Sequence, residues 1–243
     1  MRTRIRHGLA AALAVSALSL TAACGGGAKD TPGDGATKPA DKPAAGQTTS
    51  AAPAPAAPLT DAQMKAAVLE LKDLPSGWKA SKNPSSDFSM KADKAECEPL
   101  AAAAGSTVAG ATKGPTVDFA LGNNASELSE GVLAFSGTGA ADFMKQVATS
   151  LGSCTAFTAD TSGTKMKITV EKLTAPQTAE EALAFKLKLN VAQGITVEPT
   201  LLIARQGTGV VRLLHLADTP AAKKDFATFA GLAGDKLAKA AQG

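Results

Sequence analysis

The sequence predicts an α+β domain, an antiparallel sheet of about six strands flanked by helices. Three observations predict it. Several segments alternate apolar and polar residues with a strict period of two, most plainly residues 165–171 and 185–191. The turns between such segments are too short to hold crossover helices, so neighbouring strands pair antiparallel and helices cover one face of the sheet. Segments of helical period stand before, among and after the strands rather than between each pair, which is the α+β order.

The elements follow in turn. Thr60-Asp61 marks a helix start, and Met64, Ala67, Val68 and Leu71 follow at helical spacing. Leu74-Pro75-Ser76-Gly77-Trp78 ends that helix in a turn. A second short helix, about residues 93–104, holds Cys97. Val117, Phe119 and Leu121 alternate as a strand. Residues 131–136 form another, with Val132 and Ala134 on one face and Leu133 and Phe135 on the other. Residues 140–151 form an amphipathic helix with Phe143, Met144, Val147 and Leu151 on one stripe, and it delivers Cys154. Four strand signals come next. Met166, Ile168 and Val170 alternate with Lys165, Lys167, Thr169 and Glu171; Phe185, Leu187, Leu189 and Val191 alternate with Lys186, Lys188 and Asn190. Residues 195–205 and 210–216 are more fully apolar, and Gln206-Gly207-Thr208-Gly209 between them reads as a hairpin turn. A last helix over about residues 221–240 turns Phe226, Phe229, Ala230, Ala233 and Leu237 inward. The sequence shows no internal repeat.

Ahead of this domain lies an address. Arg2, Arg4 and Arg6 precede an apolar run from Leu9 to Leu20. That run is about a dozen residues, against roughly 20 for a membrane-spanning helix. A basic start and a short apolar run make residues 1–23 a secretory signal peptide. Leu20-Thr21-Ala22-Ala23-Cys24 then resembles the bacterial lipobox, in which small residues precede the cysteine that receives diacylglycerol. Lipidated Cys24 and a Gly/Ala/Pro-rich tether occupy residues 24–58, too poor in apolar side chains to offset the entropy of ordering. As a flexible coil the tether spans about 30 Å. Residues 59–243 form the single domain. The expected location is the outer face of the cell membrane, with the protein held by lipid.

Charge and cysteine usage narrow the function. The whole chain carries 25 basic and 22 acidic residues. Removing the signal peptide takes three arginines and no acid, so 25 less 3 leaves 22 bases against 22 acids. A neutral mature chain lacks the field that draws nucleic acid, which excludes that partner. With Cys24 committed to lipid, Cys97 and Cys154 remain, and an even remainder in an oxidising compartment implies one disulfide. Closing such a loop stabilises by roughly 4 kcal/mol.

Chemistry is sparse. His215 is the one histidine left after cleavage and sits among apolar strand residues. No Gly-x-Ser-x-Gly elbow accompanies it, and one histidine with two bridged cysteines makes no zinc site, so neither metal nor cofactor is expected. Gly137-Thr138-Gly139 before a helix lacks the P-loop lysine and reads as a cap. Glu180-Glu181 reads as a solvated turn. Two ligand-binding candidates remain. Lys186 and Lys188 gather with Lys165 and Lys167 on one sheet face if their strands are neighbours. Arg205 and Arg212 flank the hairpin, where arginine forks suit carboxylates or phosphates.

The order of elements, Leu74-Pro75-Ser76-Gly77-Trp78, the placing of the two cysteines, and the hairpin from Ala204-Arg205-Gln206-Gly207 to Val210-Val211 resemble actinobacterial extracellular sensor-domain lipoproteins. These are similar to the outer domain of the mycobacterial PknH-type receptor kinases. The resemblance implies an antiparallel sheet flanked by helices, a cleft, and a ligand whose identity it does not supply. The kinase sensor has two disulfides and this chain can form one. No ligand-contacting residue carries over. The leading expectation is a lipid-anchored sensor-like domain that binds a small ligand or an envelope protein, and not an enzyme. A protein-docking accessory module and a carboxylate-dependent envelope hydrolase are the alternatives.

Overall fold

Thr60 opens the first helix by a reciprocal cap. Its hydroxyl accepts the Gln63 N–H at 3.3 Å, and the Gln63 amide oxygen accepts the Thr60 N–H at 2.9 Å. This computed structural model describes residues 56–82, 89–122, 125–190 and 194–243. The expected signal peptide, Cys24 and nearly all of the expected tether lie outside the described residues. Helix α1 (Asp61–Ala67) is shorter than its apolar spacing predicts. Val68 turns extended, and the Leu69 N–H leaves the helical pattern to donate to the Glu130 carboxylate at 2.6 Å. A 3-10 turn at Leu71–Asp73 then leads to strand β1 (Trp78–Ala80).

Strand β2 (Lys91–Ala92) and a 3-10 turn (Ala95–Cys97) precede α2 (Glu98–Ala104), which has proline in its first turn. Strands β3 (Ala111–Leu121) and β4 (Ser126–Phe135) lead to α3 (Gly139–Ser153). Next come β5 (Ala156–Thr161), β6 (Thr164–Leu173), β7 (Glu181–Asn190), β8 (Thr196–Val197), β9 (Thr200–Gln206) and β10 (Gly209–Ala217). The expected last helix is broken after α4 (Pro220–Lys223) and resumes as α5 (Phe226–Ala240).

All ten described strands join one antiparallel sheet in the order β1-β3-β4-β10-β9-β7-β6-β5-β2, with β8 also on β7. The expectation of about six strands is therefore too low, for three reasons. β1 and β2 have three and two residues, too few to show a period. In β5 only Phe157 and an alanine point inward, which blurs the alternation. The apolar run 195–205 is divided at Glu198-Pro199 because proline has no N–H to give the ladder. Its register on β7 nonetheless continues, from Leu189 opposite Val197 to Phe185 opposite Leu201.

The expectation of one helix-covered face also gives way. Each face carries its own core. On the first, α1 and α5 cover Trp78, Phe119, Leu128, Val132, Val211 and Leu213. On the second, α2 and α3 cover Leu133, Phe135, Phe157, Ile168, Phe185 and Ile203. The alternation of β4 thus has apolar residues on both faces, as read from Val132/Ala134 and Leu133/Phe135. The disulfide is present: Cys97 and Cys154 have Cα atoms 5.6 Å apart, so it fastens the entry to α2 onto the end of α3.

Candidate functional site

Among the described residues no helix covers the second sheet face over β3, β4 and β10. Cross-strand register shows what stands there. Thr116, Gly131 and Arg212 are directly opposite one another, one from each strand, and so share that face. The next row along it is Asp118, Ser129 and Leu214. Apart from Leu214, these small or polar residues occupy positions that elsewhere on this face hold Phe135 or Ile203. The end of α2, Ala103 to Ser106, forms the wall. The result is a cleft of about 400 Å³, lined further by Lys113, Gly114 and Leu201. A register irregularity between Lys113 and Thr116 turns Gly114 toward α1, where a side chain would meet the Met64 sulfur at 2.8 Å.

Arg212 sets the electrostatics. Its residue is half-buried, but Nε and Nη1 are sealed from solvent and meet no hydrogen-bond acceptor. Nη2 donates to the Ser106 carbonyl at 3.3 Å and lies 3.6 Å from where a Cβ on Gly131 would stand. The guanidinium therefore lies across the bare backbone of Gly131. Loss of hydration pulls its pKa down to about 10, which still leaves it charged at neutral pH.

The other predicted residues go elsewhere. β6 and β7 are neighbours, so Lys186 and Lys188 do share the first sheet face with Lys165 and Lys167. Carboxylates attend them: Lys186 pairs with Glu171 at 2.5 Å and Lys188 with Glu198 at 3.9 Å. Glu171 raises the Lys186 pKa through that hydrogen bond. Arg205 does not join Arg212 in the cleft. It is held by Glu180 at 3.1 Å and Glu181 at 3.2 Å, and Glu180 also accepts the Gly207 N–H at 2.9 Å. The acidic pair read as a solvated turn is in fact the brace of the hairpin. The Gly207 N–H and Arg205 together hold the Glu180 carboxyl below its ordinary range.

His215 is a core residue. Its Nε2 lies 2.7 Å from Ser126 Oγ, a pairing not foreseen in the sequence because 89 residues separate the two. Both are buried, and Trp78, Phe226 and Phe229 surround the imidazole. Burial lowers the His215 pKa, with Asp225 acting the other way. The dyad lines none of the described cavities. Sequence reasoning also missed Glu130, fully buried on the first face beneath the end of α1. The turn at Gly137-Thr138 receives the chain entering the domain, Gly137 N–H donating to the Ala56 carbonyl at 3.0 Å.

A second cavity, about 590 Å³, lies between α2 and α3 and includes Met90, Phe135 and Phe143. None of its described lining residues has a buried side-chain polar atom without a partner. Among the described residues no group of three His, Cys, Asp or Glu side chains is placed to hold a metal. No described helix is long and apolar enough to cross a membrane.

Two solved structures align with the chain. The extracellular domain of PknH from Mycobacterium tuberculosis aligns over 77% of this chain and 99% of its own, with a TM-score of 0.51 and 15% identity. An uncharacterised Mycobacterium smegmatis protein, the Rv0999 ortholog, aligns over 76% and 96%, with a TM-score of 0.39 and 13% identity. No family model matches the chain. No curated protein matches it either. The chain thus has the fold of the PknH extracellular domain, and the resemblance read from sequence holds at that level.

Proposed function

We propose that this is a lipid-anchored protein of the cell surface whose sensor-like domain binds a small ligand in the cleft between α2 and strands β3, β4 and β10. The carrying observation is the cleft itself. It interrupts the apolar second core with glycine, hydroxyls and charged side chains, the composition of a ligand pocket, and its volume suits a small molecule. The fold of an extracellular sensor domain, the disulfide and the lipobox-like sequence at Cys24 support the location. A hydrolase would need two facing carboxylates, and the described lining of this cleft offers Asp118 alone.

Two measurements test the reading. Native mass spectrometry of the protein purified from its own envelope is expected to show a bound small molecule that leaves on denaturation. An apo mass alone would turn the assignment toward docking of a protein partner. Cys24→Ala is expected to move the protein from the membrane fraction to the soluble one. Retention in the membrane would remove the lipid anchor from the proposal.

A further inference from the structure

We propose that the ligand of this cleft is a small oxyanion, a carboxylate or a phosphate, held against the guanidinium of Arg212. This rests on the ligand-binding reading and adds the ligand's chemical class.

One hairpin carries two arginines in contrasting surroundings. Both lie on the second sheet face, one on β9 and one on β10. The fold neutralises Arg205 with two carboxylates and a carbonyl. It gives Arg212 one carbonyl and no described acidic partner. A desolvated charge without its complement is costly, and a domain that had only to fold would do better with an apolar residue there. Leucine or methionine would fill the row as Leu214 fills the next. Arginine instead brings five N–H donors in a plane, of which three, on Nε and Nη1, are unused. That donor set matches the oxygens of a carboxylate or phosphate.

The surroundings agree. Gly131 leaves the floor bare beside Nη2, and Thr116 Oγ1 stands 3.5 Å from the position of the missing Cβ. An anion seated over Gly131 meets a cation on one side and a hydroxyl on the other. Among the described residues the charged lining is Lys113, Asp118 and Arg212, net positive by one in formal charge. A small rotation of the guanidinium away from the Ser106 carbonyl would present its donors to the bound oxygens.

The test is a titration of the purified mature protein with inorganic phosphate, succinate and short-chain phosphatidylglycerol, with glycerol as the neutral probe. Amide resonances of Gly105, Gly114 and Gly131 report on the cleft. Saturable shifts with an anion, weakened at least tenfold in Arg212→Gln, are expected. Should Arg212→Gln fail to fold, Gly131→Ala keeps the charge but fills the floor, and is expected to weaken the same binding. Phosphatidylglycerol binding more tightly than phosphate would identify a lipid headgroup; the reverse would identify a free anion. Anion binding that is unchanged in these variants overturns the role of Arg212. Glycerol shifting the glycines while anions do not overturns the anion and leaves the ligand reading. No shift with any probe, together with an apo native mass, overturns both.

Discussion

Glu130 and Arg212 are two charge-bearing side chains drawn out of water on opposite faces of one sheet, and they respond differently. Arg212 stays charged because its ordinary pKa is so high. Glu130 has only the Leu69 N–H as partner, its Oε1 meets none, and burial pushes its pKa up to about 8. It is therefore protonated at neutral pH. The folded pKa lies above the unfolded value of 4.5, so the unfolded chain releases a proton that the folded chain keeps. The contribution of this carboxyl to stability should be greatest below about pH 4.5, fall by up to about 1.4 kcal/mol per unit as pH rises toward 8, and level off above it. In Glu130→Gln that slope should vanish while the acceptor for Leu69 remains. Urea midpoints at pH 5, 6.5 and 8 decide the matter: equal slopes in both proteins would assign the titration to other groups. The sequence singled out Arg212 by its place near the hairpin, as it did Arg205, and nothing local told the two apart: only the fold shows which is paired with carboxylates. Glu130 was not singled out, because Ser129-Glu130 reads as the polar lead-in to a strand that in fact begins at Ser126.

Among the elements, legibility followed contrast. The alternation in β6 and β7 and the stripe in α3 are strong patterns, and the structure has those elements where the pattern puts them. α1 was overestimated because Val68 continues the helical spacing although its backbone is extended. Nothing local reveals that, since the cause is Glu130, 61 residues from Leu69. The cysteine count foretold the disulfide but not what it fastens. By joining Cys97 to Cys154 it sets α2 against α3, and the far end of α2 is the wall of the cleft. Cys97→Ala with Cys154→Ala should lose about 4 kcal/mol, read as a lower melting temperature. Backbone amides of α2 should also exchange faster in that variant. Unchanged exchange in α2 would mean that packing of Leu100 and Ala101 alone holds the wall.

For the whole molecule, the α+β class and the antiparallel sheet were legible, and the sharing of the two faces was not. Helices α1 and α5 cover one end of the first face, and α2 and α3 cover the opposite end of the second. Among the described residues, the remainders that no helix covers are the lysine-bearing strands and the cleft. A sequence states which residues alternate, but not which half of a face a distant helix reaches. The sheet order carries one more consequence, for a chain made from its N-terminus. β4 has β3 and β10 as its neighbours, and Val132 pairs with Val211. Until β10 has been synthesised, β4 presents an unpaired edge, and so does β9. Any product that stops before Gly209 exposes two open ladders at the middle of the sheet, where both faces are apolar. Such fragments are the aggregating species to expect from early termination or proteolytic nicking at the Gln206–Gly209 turn, and quality control during synthesis must outlast the arrival of the last hairpin.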